Sequence, residues 1–311
     1  MYGGIVLESQ TTPKRFRIPQ NGATVTVFAP YDCRNACPFC INKEDYQNHE
    51  DYDFDLVNVI ESINLMDGIT PDCDFVITGG EPLASHSMLK KILDAILHQN
   101  NAGSNHRLFI NTSSPYDIGD VEFLNSFQGL ITEINVSRHI SSFFEEGDDD
   151  LIGELVSSVR INCVILSKDE PSEIGEFLER FDFDNVSGIQ FRDDYVGVNW
   201  DNLYNLRENE IFLAVARQLS GHDVTFPEQY LESVESFRWN ARFDTGDKPV
   251  WFHRTMHRSK LENDECIEIN DIIIRPNGII VDDWNEHGDK LDIERYKDAI
   301  NDFSIDSNPK D

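Results

Sequence analysis

Basic residues are scarce in this chain. Its 311 residues hold 26 Lys and Arg against 57 Asp and Glu, a net charge of −31. Binding to a nucleic-acid backbone relies on cationic side chains displacing counterions, so long DNA or RNA is excluded as an expected partner. The acid surplus favours solubility instead. Long apolar runs are also missing: no stretch approaches the 18 residues of a membrane span, and none is expected. The start, Met-Tyr-Gly-Gly-Ile-Val-Leu-Glu, lacks the charged head and apolar run of a signal peptide, so a cytoplasmic location is expected. Cysteine is sparse as well, six in all, and a reducing compartment suits thiols that stay free. No internal repeat or low-complexity segment is evident.

Half of those cysteines lie within eight residues, in Cys33-Arg-Asn-Ala-Cys37-Pro-Phe-Cys40. Thiolates gathered this tightly hold a metal or a cluster, and three ligands leave one coordination position open. The loop follows Ala23–Ala29, a strand by its β-branched content. Helical spacing of apolar residues over 53–66 and 87–99 alternates with short apolar strands at 74–78 and 107–111. The pattern continues with a short helix at 117–127, a strand at Ile131–Ser137, a helical stretch at 148–157, a strand at 159–166, a helix at 171–181 and a strand at 188–192. Such alternation predicts parallel βα units.

In α/β proteins of this kind ligands sit beyond the carboxyl ends of the strands. The unusual residues fall at those ends: the cysteine loop, Thr78-Gly79-Gly80-Glu81-Pro82, Asn111-Thr-Ser-Ser114, Ser137-Arg138-His139 and Arg192-Asp193-Asp194. Asn162 lies within the fifth strand. A plain zinc site that recruits His49 or Cys73 is the structural alternative, although neither shows finger-like spacing.

Together these residues resemble the radical S-adenosylmethionine (SAM) superfamily, with its CxxxCxΦC loop after the first strand and GGE motif after the second. Cys33, Cys37, Phe39 and Cys40 match the first pattern and Gly79-Gly80-Glu81-Pro82 the second, over a region of roughly 23–195. The resemblance implies a partial (βα)6 barrel over 23–200, after a lead-in over 1–22, with a C-terminal extension or cap over 201–311 that contains a β-hairpin. It further implies that Cys33, Cys37 and Cys40 bind three irons of a [4Fe–4S] cluster whose fourth iron takes SAM. Gly79, Gly80 and Glu81 would receive the methionine ammonium, the carboxylate included, and Phe39 would lie against the adenine. Ser137 would contact the carboxylate or ribose, Arg138 would add a charge, and Asn111, Ser113 and Asn162 would contact ribose or substrate. The implied activity is reductive cleavage of SAM and hydrogen abstraction from a peptide or small molecule, a nucleotide included. An electron donor such as flavodoxin or ferredoxin is the implied partner. A non-catalytic zinc- or cluster-binding module is the rival reading.

The segment from Cys266 to Asp283 resembles the C-terminal hairpin that carries further clusters in many family members, its turn being Pro276-Asn277-Gly278. Asp282-Asp283 stand where a cysteine is expected, so an auxiliary cluster is not expected. His253 and His257 are spaced four apart, and Arg238, Arg242, Arg254 and Arg258 concentrate positive charge nearby. An anion site or salt bridges to the abundant acids would both use those arginines.

Overall fold

The computed structural model describes residues 15–18, 21–30, 33–35, 37–40, 53–141, 146–193, 210–220, 239–244, 248–254, 260–262, 266–282 and 291. In chain order its elements are β1 (Arg15–Arg17), β2 (Asn21–Phe28), α1 (Leu56–Asp67), β3 (Asp72–Thr78), α2 (His86–Ala102), β4 (Arg107–Thr112), α3 (Ile118–Asn125), β5 (Ile131–Ser137) and β6 (Ser158–Ile165). There follow α4 (Ile174–Glu179), β7 (Val186–Asp193), α5 (Glu210–Ser220), β8 (Trp239–Asp244), β9 (Pro249–Arg254), β10 (Lys260–Glu262), β11 (Cys266–Ile269), β12 (Asp271–Ile274) and β13 (Ile280–Val281). No helix among the described residues is long and apolar enough to cross a membrane.

The helices form where the sequence supplies both a cap and an apolar stripe. Asp55 accepts from the Val57 and Asn58 amides at 3.0 and 3.1 Å, satisfying donors that the first turn of α1 cannot. Val59, Ile63 and Met66 then share one buried face. In α2 the buried stripe is Leu89, Ile92, Leu93 and Ile96, and Gly103 ends the helix at φ +120°, a conformation open to glycine. Both helices shield one face of the sheet, where Val25, Val27, Phe75, Ile77, Leu108, Ile110, Ile134, Val136 and Ile161 form the main core.

Strands β2 to β7 lie side by side in chain order and all parallel, inside a ten-stranded sheet. The α/β class expected from the sequence is therefore present. The two outer edges of this row are not joined to each other: β12 occupies the β2 edge and β9 the β7 edge, both in parallel register. The hairpin expected as part of a cap thus lies in the sheet itself, as β12 and β13. Ile272 and Ile274 give it an apolar face that joins the main core, while Ile273 packs with Phe28 and Val281 on the other side of the sheet.

The second face differs in character. Side chains alternate along a strand, and those opposite the main core include Asn111 on β4, Glu133, Asn135 and Ser137 on β5, Arg160 and Asn162 on β6, and Gln190 and Arg192 on β7. Toward the amino ends of these strands, Arg160 pairs with Glu133 at 2.9 Å and lies 5.1 Å from the Trp251 ring. Amides therefore line the middle of this face above a charged and aromatic floor.

One helical expectation is corrected. Within 148–157 only a short 3-10 turn forms, Asp150–Glu154. Carbonyls that an α-helix would use are taken by distant side chains: Asn185 donates to Ile152 and Leu155 at 2.7 and 2.9 Å, and Asn125 donates to Glu154 at 2.9 Å. The 171–181 helix likewise divides into a 3-10 turn at Glu170–Glu173 and α4.

Candidate functional site

Two loops meet at the carboxyl ends of β2 and β3. Ala29 donates to the Thr78 carbonyl at 2.7 Å, and Gly80 donates to the Pro30 carbonyl at 3.3 Å, so the Gly-Gly turn is stitched to the residues that lead into the cysteine loop. Gly79 has φ +133°, and a Cβ placed there would stand 2.5 Å from the Ala29 carbonyl oxygen. Only glycine fits so close an approach without displacing backbone.

Within the loop, Cys40 donates its amide to the Cys37 carbonyl at 3.2 Å, which closes a tight turn around Pro38 and Phe39. Cys33 is exposed, and Cys37 and Cys40 are half-buried. Among the described residues no three His, Cys, Asp or Glu side chains converge on a single metal ion. An iron–sulfur cluster takes one thiolate per iron, so its ligands spread around the cluster instead of meeting at a point. The Phe39 ring lies 5.1 Å from that of His139, and Asn35 reaches Ser113 Oγ at 3.3 Å. These contacts bring the loop to the carboxyl ends of β4 and β5.

Glu81 is 5% exposed, and its carboxylate is occupied by this protein's own groups. Oε1 accepts from Leu83 N at 3.1 Å and from the Thr112 hydroxyl; Oε2 accepts from Ser113 N at 2.8 Å and Ser113 Oγ at 2.6 Å. Four acceptor sites are the capacity of a carboxylate. With those sites taken, the carboxylate clamps the end of β4 to the Gly-Gly turn. Ser113 shares in that clamp.

Arg138 also joins the strand ends, and its buried Nη2 has no partner among the described residues. Its side chain is fully buried, with Nε on Asp149 at 2.8 Å and Nη1 on the Ser113 and Ser137 carbonyls at 2.7 and 2.9 Å. A buried guanidinium must be paired, and this one ties the ends of β4 and β5 to the 146–150 segment. Asn111 accepts from Asn135 at 2.9 Å, and Ser137 is half-buried on the polar face. Asn162 differs: it is 7% exposed, and its Oδ1 has no partner among the described residues. A buried acceptor left unmatched in this way is what a ligand donor would satisfy.

Cys73 is no loop ligand. It lies at the amino end of β3, about 16 Å of strand from Thr78. There its Sγ is 3.2 Å from His106 Nδ1, and burial pushes the thiol well above its usual value. Asp282 is buried on the sheet edge beside β13, and Arg242 is exposed on β8. The side chains of Cys266, His253 and Arg254, together with His49, Asp194, Arg238, His257, Arg258 and Asp283, lie outside the described residues. Sequence reasoning missed Asn35, Tyr116 and Asp149, since nothing local marks an ordinary polar residue as the partner of a distant strand end.

Residues 19–149 match a family described as a 4Fe-4S single cluster domain. Among solved structures, native anSMEcpe with bound AdoMet and Kp18Cys peptide is similar at 12% identity and a TM-score of 0.53, over 86% of this chain and 75% of that one. Native anSMEcpe with bound AdoMet and Cp18Cys peptide is similar at 13% identity and a TM-score of 0.50, over 85% and 74%. No curated protein matches in sequence. The solved structures share the fold, and the cluster-domain match covers both the thiol loop and the Gly-Gly-Glu turn. The two motifs of that region thus stand at adjoining carboxyl ends within a row of parallel strands.

Proposed function

We propose that this chain is a radical SAM enzyme acting on a peptide or small-molecule substrate. The observation that carries the reading is the joining of the Cys33–Cys40 loop to the Gly79-Gly80-Glu81 turn through Ala29 and Pro30. The residues suit the two groups that such an enzyme uses. Three thiols share one loop, Gly79 lets the turn pack closely on the backbone that leads into that loop, and Asn162 holds a buried acceptor without a partner among the described residues.

Cys33, Cys37 and Cys40 would hold a [4Fe–4S] cluster, and SAM would lie between them and the polar face of the sheet. When bound, these groups supply one electron and a 5′-deoxyadenosyl radical that takes a hydrogen atom from substrate. The protein's part is to bind and orient. Backbone of the Gly79-Gly80 turn receives the ammonium, and Glu81 fixes that turn. Ser137 and Asn162 offer a hydroxyl and an amide to carboxylate or ribose, and Phe39 borders the adenine side against His139. Asn111 and Asn135, already paired, present a polar but uncharged surface from adjacent strands. Neutral amides of this kind suit peptide or nucleobase groups, and the peptide held by anSMEcpe supports the first of these. A small electron-transfer protein such as flavodoxin or ferredoxin would supply the electron.

Anaerobically purified, iron- and sulfide-loaded protein is the material for the test. Reduced and given SAM, it should release 5′-deoxyadenosine slowly, and Cys37→Ala should abolish the release. Loaded, reduced protein that gives none with SAM and candidate peptides would remove the catalytic reading and leave a cluster-binding module.

A further inference from the structure

The thiol loop is held by a directed chain of hydrogen bonds. Ser113 Oγ has one proton and gives it to Glu81 Oε2 at 2.6 Å. The Tyr116 hydroxyl, 2.7 Å away, must then donate to Ser113 Oγ. Asn35, within the loop and 7% exposed, donates Nδ2 to the Tyr116 oxygen at 3.2 Å and to Ser113 Oγ at 3.3 Å. Every donor points the same way and the chain ends on a carboxylate, so each bond polarises the next. From the other side, the Arg34 guanidinium lies 3.9 Å from the centre of the Tyr116 ring. Two neighbouring residues of the loop thus grip one tyrosine that belongs to the segment between β4 and α3. Burial pushes the Tyr116 phenol up, which keeps its proton available for the bond to Ser113.

We infer that Tyr116 and Asn35 are positioning residues that hold the Cys33–Cys40 loop against the Glu81 clamp before any metal is bound. Arg34 supports the tyrosine ring. The same contacts connect the Gly79–Glu81 turn to the loop through side chains as well as through backbone. This inference rests on reading the three thiols as cluster ligands, and its test separates the two ideas.

The experiment compares hydrogen exchange of amides 33–40 in metal-free native protein, Tyr116→Phe and Asn35→Ala. Phenylalanine keeps the ring under Arg34 and removes only the hydroxyl. Losing its bonds should speed exchange in the loop roughly tenfold, with β5 amides and the unfolding midpoint unchanged. After anaerobic loading, both variants should also give an altered low-temperature paramagnetic resonance spectrum of the reduced cluster at native iron content. Loop exchange within twofold of the native rate in both variants overturns the inference. Global loosening, seen as faster β5 exchange in both, also overturns it, since the residues would then support the whole fold. Native protein that takes up no iron or sulfide sinks the cluster reading instead, while the exchange data still decide whether the loop is latched.

Discussion

Glu81→Gln offers the sharpest test of how the site is built, because it needs no cofactor. The carboxylate accepts four bonds, two of them from backbone amides: Leu83 N on Oε1 and Ser113 N on Oε2. Glutamine replaces one oxygen by an NH2 group. The hydroxyls of Thr112 and Ser113 can rotate to accept from it, but a backbone N–H cannot. Whichever way the amide turns, one N–H faces another donor. An unsatisfied donor in so buried a place costs roughly 1–3 kcal/mol, and the surviving bonds lose the charge that made them about twice as strong. The sum is on the order of 3 kcal/mol. Urea unfolding of metal-free protein under reductant, followed by circular dichroism, should show that loss. If the carboxylate were instead reserved for a ligand, the metal-free variant would match native protein within ~0.5 kcal/mol and lose only SAM binding. That result would refute the clamp.

Other consequences follow from the same geometry. Gly79→Ala places a Cβ 2.5 Å from the Ala29 oxygen at a φ of +133°, so loss of iron uptake should accompany destabilisation; normal iron content would contradict the close approach. At Gly188 an added Cβ would stand 2.3 Å from Trp251 Cζ3, so Gly188→Ala should cost roughly 1–3 kcal/mol. The same variant should change tryptophan fluorescence as the ring leaves Arg160, and an unchanged emission spectrum would count against that packing. Brief alkylation of metal-free folded protein at pH 8, mapped by mass spectrometry, should modify Cys33, Cys37 and Cys40 and spare the buried Cys73 and Cys163. Those two thiols also set a pH dependence. Burial raises both above their ordinary value of 9.0, so they stay neutral when folded but ionise in the unfolded chain as pH passes 9.0. The unfolded state then binds fewer protons, and stability present below that pH declines above it. Flat stability from pH 8 to 10.5 would contradict the burial of both.

Much of the fold was legible in the sequence because its determinants are local. β5 begins and ends as its β-branched run does, at Ile131 and Ser137, and α1 starts where Asp55 can cap it. The cysteine loop and Gly-Gly turn were legible because metal ligation and a positive φ restrict the residues allowed. What the sequence hid was long-range. The 150–154 turn depends on Asn125 and Asn185, and Arg138 is fixed by Asp149 and two carbonyls that nothing in its neighbourhood of sequence announces. Glu81 likewise reads as a free carboxylate in a motif that prints none of its four donors. The pairing of β12 with β2 and of β9 with β7 leaves no local trace either, since any apolar strand fits an open parallel edge.

That last pairing bears on how the protein comes to exist in a cell. Thr24 of β2 stands opposite Asp271 and Val27 opposite Ile274, so the strand that launches the thiol loop is completed by residues from the far end of the chain. Such distant contacts form late. While the chain is being synthesised, β2 offers a bare line of amides and carbonyls along one side, with Phe28 not yet covered by Ile273 and Val281. Truncation before β12 should therefore yield insoluble product and not a working core with its tail removed. Metal delivered to a nascent chain would meet its ligands on a strand secured among the last in the sheet.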